Sequence, residues 1–172
     1  MGEDLLASRL AQACTLRGST TLRSGSVSDR YFDKYLFAPD PVLLSEVADR
    51  LVPLIPRGTE VLAGLELGGV PVATALSLAS GIPAAFVRKE AKGCGTAKLA
   101  EGAPVEGRRV VIVEDVVTTG GQVALSAREL AVRGAQVNTA LCVLDRSDGH
   151  HEPLQEMGIT LISLFTETDV GW

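Results

Sequence analysis

Apolar positions along the chain follow two alternating rhythms. Short continuous runs rich in Val, Leu, Ile and Ala occupy 61–65, 84–87, 109–113, 137–144 and 159–165. Unbroken β-branched runs of this kind mark strands buried on both faces, as in a parallel sheet. Between them lie segments with apolar residues at helical spacing. Residues 5–14 follow a capping Asp4, 41–51 open on Pro41 and close at Pro53 and Pro56, 71–79 end at Gly81, and 122–133 end at Gly134. Strands alternating with helices predict an α/β fold, a central parallel sheet flanked by helices through right-handed crossovers. Two stretches break the rhythm. Residues 20–37 are polar and turn-rich and read as a hairpin-like excursion outside the sheet, while 89–106, with Gly93, Gly95 and Gly102, read as one long loop. A loop of that length inside a domain is commonly functional.

Composition narrows the class. The chain has 172 residues, 46% of them hydrophobic and only 4% aromatic, which suits a single α/β domain spanning 1–172. No apolar run reaches the length of a membrane span, and the opening MGEDLLASRL carries acids where a secretory signal needs bases. Cys14, Cys94 and Cys142 are widely spaced and odd in number, so they read as free thiols in a reducing, cytoplasmic setting. His150 and His151 have no acid or thiol at ligand spacing, so the pair reads as solvated. The net charge of −5 argues against nucleic acid and offers no basic face for a membrane. Even so, Arg88, Lys89, Lys92 and Lys98 crowd into the long loop. An acidic chain that concentrates cations in one loop is equipped to use them on an anionic ligand.

The chemistry concentrates at 109–122, RVVIVEDVVTTGGQ. The strand at 109–113 runs into adjacent carboxylates, Glu114 and Asp115, then into Val116, Val117 and the small turn Thr118, Thr119, Gly120, Gly121, with Gln122 opening a helix. Hydroxyls and unbonded backbone N–H groups at a helix N-terminus bind phosphate. The carboxylates just upstream suit sugar hydroxyls instead. Loops at strand carboxyl ends are where doubly wound folds bind ligands. The combination fits a ribose 5-phosphate.

This segment resembles the 5-phosphoribosyl 1-diphosphate (PRPP) signature of the type I phosphoribosyltransferases. Three more segments resemble the orotate phosphoribosyltransferases among them, in the expected order. TLRSGSVSDRYFDKY is similar to the N-terminal hood, RKEAKGCGTAKLAEG to the flexible catalytic loop, and LDRSDG at 144–149 to the Leu-Asp-Arg that ends a strand beside orotate. The resemblance implies a type I phosphoribosyltransferase fold with 1–40 contributing a small hood and 89–106 a flexible loop. It implies that Glu114 and Asp115 hold the ribose hydroxyls and that Val116, Val117, Thr118, Thr119, Gly120, Gly121 and Gln122 cradle the 5-phosphate. Arg88, Lys89 and Lys92 would meet pyrophosphate, with Asp115, Lys92 and Lys89 catalytic and Cys94 in the PRPP loop. Arg23, Phe32, Thr118 and Arg146 would meet orotate.

Two departures stand out. Cys94 occupies a loop position where the family often carries His or Tyr. The turn after the first sheet strand reads LELGG, without the lysine some relatives carry, so Leu67 and Gly68 offer only backbone there.

The resemblance further implies transfer of ribose 5-phosphate from PRPP to orotate, giving orotidine 5-monophosphate in de novo UMP synthesis. It implies Mg2+ held mainly by PRPP, and a homodimer with shared active sites. Salvage of uracil or a purine, and a non-catalytic PRPP sensor, remain the alternatives.

Overall fold

The computed structural model describes residues 5–21, 27–33, 35–89 and 99–171. The chain opens with α1 (Leu5–Cys14) and passes without a break into a two-stranded antiparallel hairpin, β1 (Thr15–Thr21) and β2 (Val27–Phe32). The hairpin begins earlier than the polar stretch at 20–37 suggested, because no loop separates it from α1. The Asp33 N–H bonds back to the Cys14 carbonyl at 2.8 Å, so both ends of the hairpin leave from the same point on α1.

The remainder is one six-stranded sheet in the order β5-β4-β3-β6-β7-β8. Its strands are β3 (Val61–Leu65), β4 (Ala84–Val87), β5 (Ala100–Gly102), β6 (Arg109–Val117), β7 (Gln136–Asp145) and β8 (Thr160–Thr166). All pairings are parallel except β4 with β5. The sheet is otherwise parallel, as expected, and the antiparallel edge strand shortens the long loop. Residues 100–102, read as loop, pair with 85–87 and cover the edge of β4.

Helices α2 (Pro41–Leu51), α3 (Gly69–Ser80), α4 (Gly121–Val132) and the short α5 (Glu152–Gln155) complete the fold. Asp40 caps α2, its Oδ1 accepting from the Val42 and Leu43 N–H groups at 2.9 and 3.0 Å. Such a cap satisfies donors that the first turn leaves unbonded, and Pro41 loses no hydrogen bond there.

Two apolar cores sandwich the sheet. On one face Leu6, Leu10, Leu43, Val47 and Leu76 from α1, α2 and α3 pack against Val111 and Val113 of β6. On the other Val123, Ala127 and Leu130 of α4 and Leu154 of α5 pack against Val110 and Ile112. Alternation along β6 explains the division, since successive strand residues face opposite sides.

The strand itself continues to Val117, four residues past the expected strand end, with Val116 packed on the first core and Val117 on the second. The cause is β7, which runs equally far and keeps the ladder going: Glu114 pairs with Cys142, Val116 with Leu144 and Val117 with Asp145. The two carboxylates therefore lie within the strand, not after it, on opposite faces.

Candidate functional site

The carboxyl ends of β4, β3, β6 and β7 lie side by side, and each carries residues singled out in the sequence. Arg88 and Lys89 follow β4, the turn 66–69 follows β3, Glu114 to Gln122 end β6 and begin α4, and Arg146 follows β7. Lys92, Cys94 and Arg23 lie outside the described residues, as does the side chain of Phe32.

Glu114 and Asp115 are 8% and 1% exposed. Burying a carboxylate is costly unless hydrogen bonds compensate it, and the strand supplies them locally. Asp115 Oδ1 accepts from the Val116 N–H at 2.7 Å, and Glu114 Oε2 accepts from the Asp115 N–H at 3.2 Å. Asp115 also needs room. Its carboxylate lies flat against Gly68, where a Cβ would run into it, and a Cβ on Gly69 would strike the Val113 carbonyl. Gly68, the residue of the LELGG turn that faces Asp115, is what admits the carboxylate. The Glu66–Leu67 peptide in this turn is cis.

Beneath the pair, burial raises the Cys142 thiol well above its usual pKa, and the nearby charges of Asp145, Glu114 and Asp115 add to the effect. Cys14, under the hairpin, is likewise raised by burial, to about 11. Both thiols stay protonated at neutral pH, so Cys142 adds no negative charge below the carboxylates.

Beyond β6 the turn opens. Thr118 and Thr119 are exposed, and Gly120 caps α4 with φ of 76°. Only glycine adopts that conformation readily, and a Cβ at Gly120 would also come within 2.8 Å of Leu154 Cγ. Residues 116–123 with Glu114 line a shallow depression at the helix N-terminus. Val116 and Val117, expected in the phosphate loop, are instead the last residues of β6. The Gln122 side chain turns along the helix to Ser126 Oγ at 3.2 Å.

Toward β4, the Arg88 N–H donates to the Leu99 carbonyl at 2.9 Å, closing the base of segment 90–98. The Lys89 N–H donates to Glu66 Oε1 at 2.7 Å, which ties that base to the turn after β3. Arg88 Nε is buried and has no hydrogen-bond partner among the described residues. Toward β8, the Arg146 N–H donates to the Val117 carbonyl at 2.8 Å, and its guanidinium pairs with Glu167. Sequence reasoning overlooked Glu66 and Glu167, because isolated acids in turns carry no motif. It also placed His151 in solvent, but that ring is only 16% exposed and lies 3.2 Å from Asp145 Oδ2. His150 is exposed, as expected.

A family model of the phosphoribosyl transferase domain matches residues 44–163, and these include β6 and its turn. The strand, turn and helix thus belong to a phosphoribosyltransferase. An orotate phosphoribosyltransferase of a Nocardioides species is 49% identical over 165 residues, 96% of this chain and 92% of that protein. One from Methanocella arvoryzae is 43% identical over 153 residues, 89% of this chain and 87% of its own length. Among solved structures, the Mycobacterium tuberculosis orotate phosphoribosyltransferase in complex with PRPP superposes with a TM-score of 0.83 at 30% identity, covering 97% of each chain. The chain belongs to the orotate phosphoribosyltransferase family.

The contact between Gly68 and Asp115 generates a prediction. Gly68→Ala forces either the carboxylate or the turn to shift. Overpacking of this kind costs about 1–3 kcal/mol of folding stability, and the displaced Asp115 carboxylate should lower affinity for ribose 5-phosphate with the circular dichroism spectrum unchanged. Calorimetric titration measures it. Unchanged affinity would show that the placement of Asp115 does not matter to the ligand.

Proposed function

We propose that this chain transfers ribose 5-phosphate from PRPP to orotate, giving orotidine 5-monophosphate and pyrophosphate. The observation that carries the reading is the end of β6, where two buried carboxylates lead directly into an open helix N-terminus. Family membership and a relative solved with PRPP support it.

In this reading the 5-phosphate sits on the turn formed by Thr118, Thr119, Gly120 and Gly121, drawn by backbone N–H groups and the positive end of α4. Val116, Val117 and Gln122 support the turn from either side. A ribose lying across the end of β6 meets Glu114 from one face of the strand and Asp115 from the other. Arg88 and Lys89 lie on the β4 side of that ribose and would receive the pyrophosphate, joined by Lys92 and the loop containing Cys94. Arg146 lies on the β7 side and would meet orotate, with Thr118, Arg23 and Phe32 of the hood. The anomeric carbon then falls between a cationic half that receives the leaving group and a half that holds the incoming base.

As the bond to pyrophosphate breaks, positive charge grows on the ribose and negative charge on the leaving group. Asp115 and Glu114 stabilise the first, and Arg88, Lys89 and Lys92 the second. The two carboxylates, buried and hydrogen-bonded to the strand, are fixed before reaction, which is how electrostatic catalysis acts. Orotate N1 attacks as an anion, so little proton transfer is required.

The site is oxygen-rich and of a kind Mg2+ accepts, and Mg2+ favours substrate phosphates among its ligands. Held mainly by PRPP, the ion would neutralise charge on the departing pyrophosphate. Among the described residues no helix is long and apolar enough to cross a membrane, in keeping with a proposed cytoplasmic location.

Loss of orotate absorbance that depends on PRPP and Mg2+, run beside uracil and hypoxanthine, tests the reaction and the choice of base. Turnover of orotate alone is expected. Asp115→Asn should keep the fold and lower turnover about a hundredfold or more. Preference for uracil or hypoxanthine would reassign the base. PRPP binding without any turnover would indicate a sensor, and near-normal turnover in Asp115→Asn would remove that residue from the chemistry.

We also propose a homodimer in which Lys92 reaches the PRPP bound by the partner. Asp115→Asn and Lys92→Ala chains, unfolded and refolded together, check this. If Lys92 acts across the interface, each mixed dimer has one site with both lesions and one intact site, so activity should return to about a quarter of wild type. No recovery, with mixed dimers demonstrated, would confine Lys92 to its own chain.

A further inference from the structure

The residues after β7 form a hydrogen-bonded knot that phosphate binding alone does not explain. Asp145 ends the strand, Arg146 follows, and Ser147 folds back. The Ser147 N–H and hydroxyl both donate to Asp145 Oδ1, at 3.0 and 2.7 Å. The Ser147 oxygen accepts from the Gly149 N–H at 3.2 Å. His151 closes the knot, with Nε2 at 3.2 Å from the Ser147 hydroxyl and at 3.2 Å from Asp145 Oδ2. The Asp145 and His151 side chains are 13% and 16% exposed, so water competes little for these bonds.

A serine, a histidine and an aspartate in contact raise the question of a nucleophile. The geometry excludes one. In a nucleophilic triad the imidazole meets the hydroxyl through one ring nitrogen and the carboxylate through the other. Here Nε2 faces both, and Nδ1 is buried with no hydrogen-bond partner among the described residues. The serine proton, moreover, is directed to the aspartate. This arrangement holds a loop in place and activates nothing.

What it holds is the backbone on either side of Arg146. The Arg146 N–H is bonded to the last residue of β6, and its guanidinium is paired with Glu167 beyond β8. Further along, Leu154 is fully buried and packs under Gly120 in the phosphate turn. Segment 145–154 is therefore pinned to the end of β6 at one end and to the phosphate turn at the other, and His151 bridges the middle. Without that bridge, Ser147 keeps its bonds to Asp145 and Gly149, and its carbonyl still accepts from the His150 N–H at 2.9 Å, but no side chain ties the far end of the 147–151 turn back to Asp145. An arginine whose backbone is already fixed loses less freedom when it captures a ligand, and the saving appears as affinity.

We infer that His151 is a positioning residue for the base. Through its Nε2 contacts with Asp145 and Ser147 it fixes the backbone that aims Arg146, and so sets the affinity for orotate without touching it. The inference rests on the proposed reading that Arg146 meets orotate.

The test compares full-length wild type with Arg146→Ala, His151→Ala, His151→Gln and His151→Asn. It reads KM for orotate, KM for PRPP, kcat and the thermal midpoint. His151→Ala is expected to raise KM for orotate about fivefold to tenfold, as loss of a shielded hydrogen bond at a charged partner implies. KM for PRPP and kcat should stay within about twofold, because ground-state binding of the base is what changes. Gln places an amide nitrogen near the position of Nε2 and should restore most of the affinity. Asn reaches only the position of Nδ1 and should not.

Three results would overturn the inference. One is an unchanged orotate KM in His151→Ala beside a raised one in Arg146→Ala. Another is a lower thermal midpoint and kcat with both KM values untouched, the mark of a purely structural histidine. The third is equal rescue by Gln and Asn. If Arg146→Ala itself leaves the orotate KM unchanged, the reading of the base site falls and takes this inference with it, an outcome no His151 variant can imitate. Should His151→Ala fail to fold, Ser147→Ala removes the hydroxyl on which the knot turns and carries the same comparison.

Discussion

The constraint on which the site depends is the burial of two carboxylates at the end of one strand. A charged group 1% exposed, as Asp115 is, must find compensation in its immediate surroundings. It draws on the Val116 N–H, on the full-length pairing of β6 with β7, and on the gap left by Gly68. Each of these also shapes the neighbourhood of the ligand. The extended ladder carries the carboxylates up to the turn at 118–121. Gly68 and Gly69 draw the turn after β3 against β6, and the bond from Glu66 to Lys89 joins that turn to the base of segment 90–98.

Strand order then divides the labour. With β3 and β4 on one side of β6 and β7 and β8 on the other, cations that suit a leaving pyrophosphate fall on one flank and Arg146 on the opposite one. In the proposed reading, a sugar held at β6 would have its two reaction partners delivered by neighbouring strands. Parallel crossovers alone place all these loops at the same edge.

Much of this was legible in the chain. The short apolar runs at 61–65 and 84–87 matched β3 and β4 at their observed bounds. Pro41 and Leu51 bound α2 where the proline rules put them. The signature at 114–121 pointed through residue type and spacing to the phosphoribosyltransferase family, whose model matches residues 44–163. What escaped notice depends on pairing across the sheet or on contacts distant in sequence. Strand β6 runs through its own carboxylates because β7 is long enough to pair with them, which no local pattern records. Strand β5 was hidden inside a glycine-rich stretch, since three residues at a sheet edge need no apolar alternation. His151 looked solvated because its partners, Asp145 and Ser147, come within reach only after the loop folds back. Gly68 read as a missing lysine, yet its lack of a side chain is what lets Asp115 fit.

The account stands or falls on where the phosphoribosyl group lies. A crystal structure of the chain with PRPP and Mg2+ tests that most directly. The 5-phosphate should rest on backbone N–H groups of 118–121 at the start of α4, with the ribose hydroxyls within hydrogen-bond distance of Glu114 and Asp115. A phosphate bound elsewhere, or a ribose turned away from both carboxylates, would contradict it.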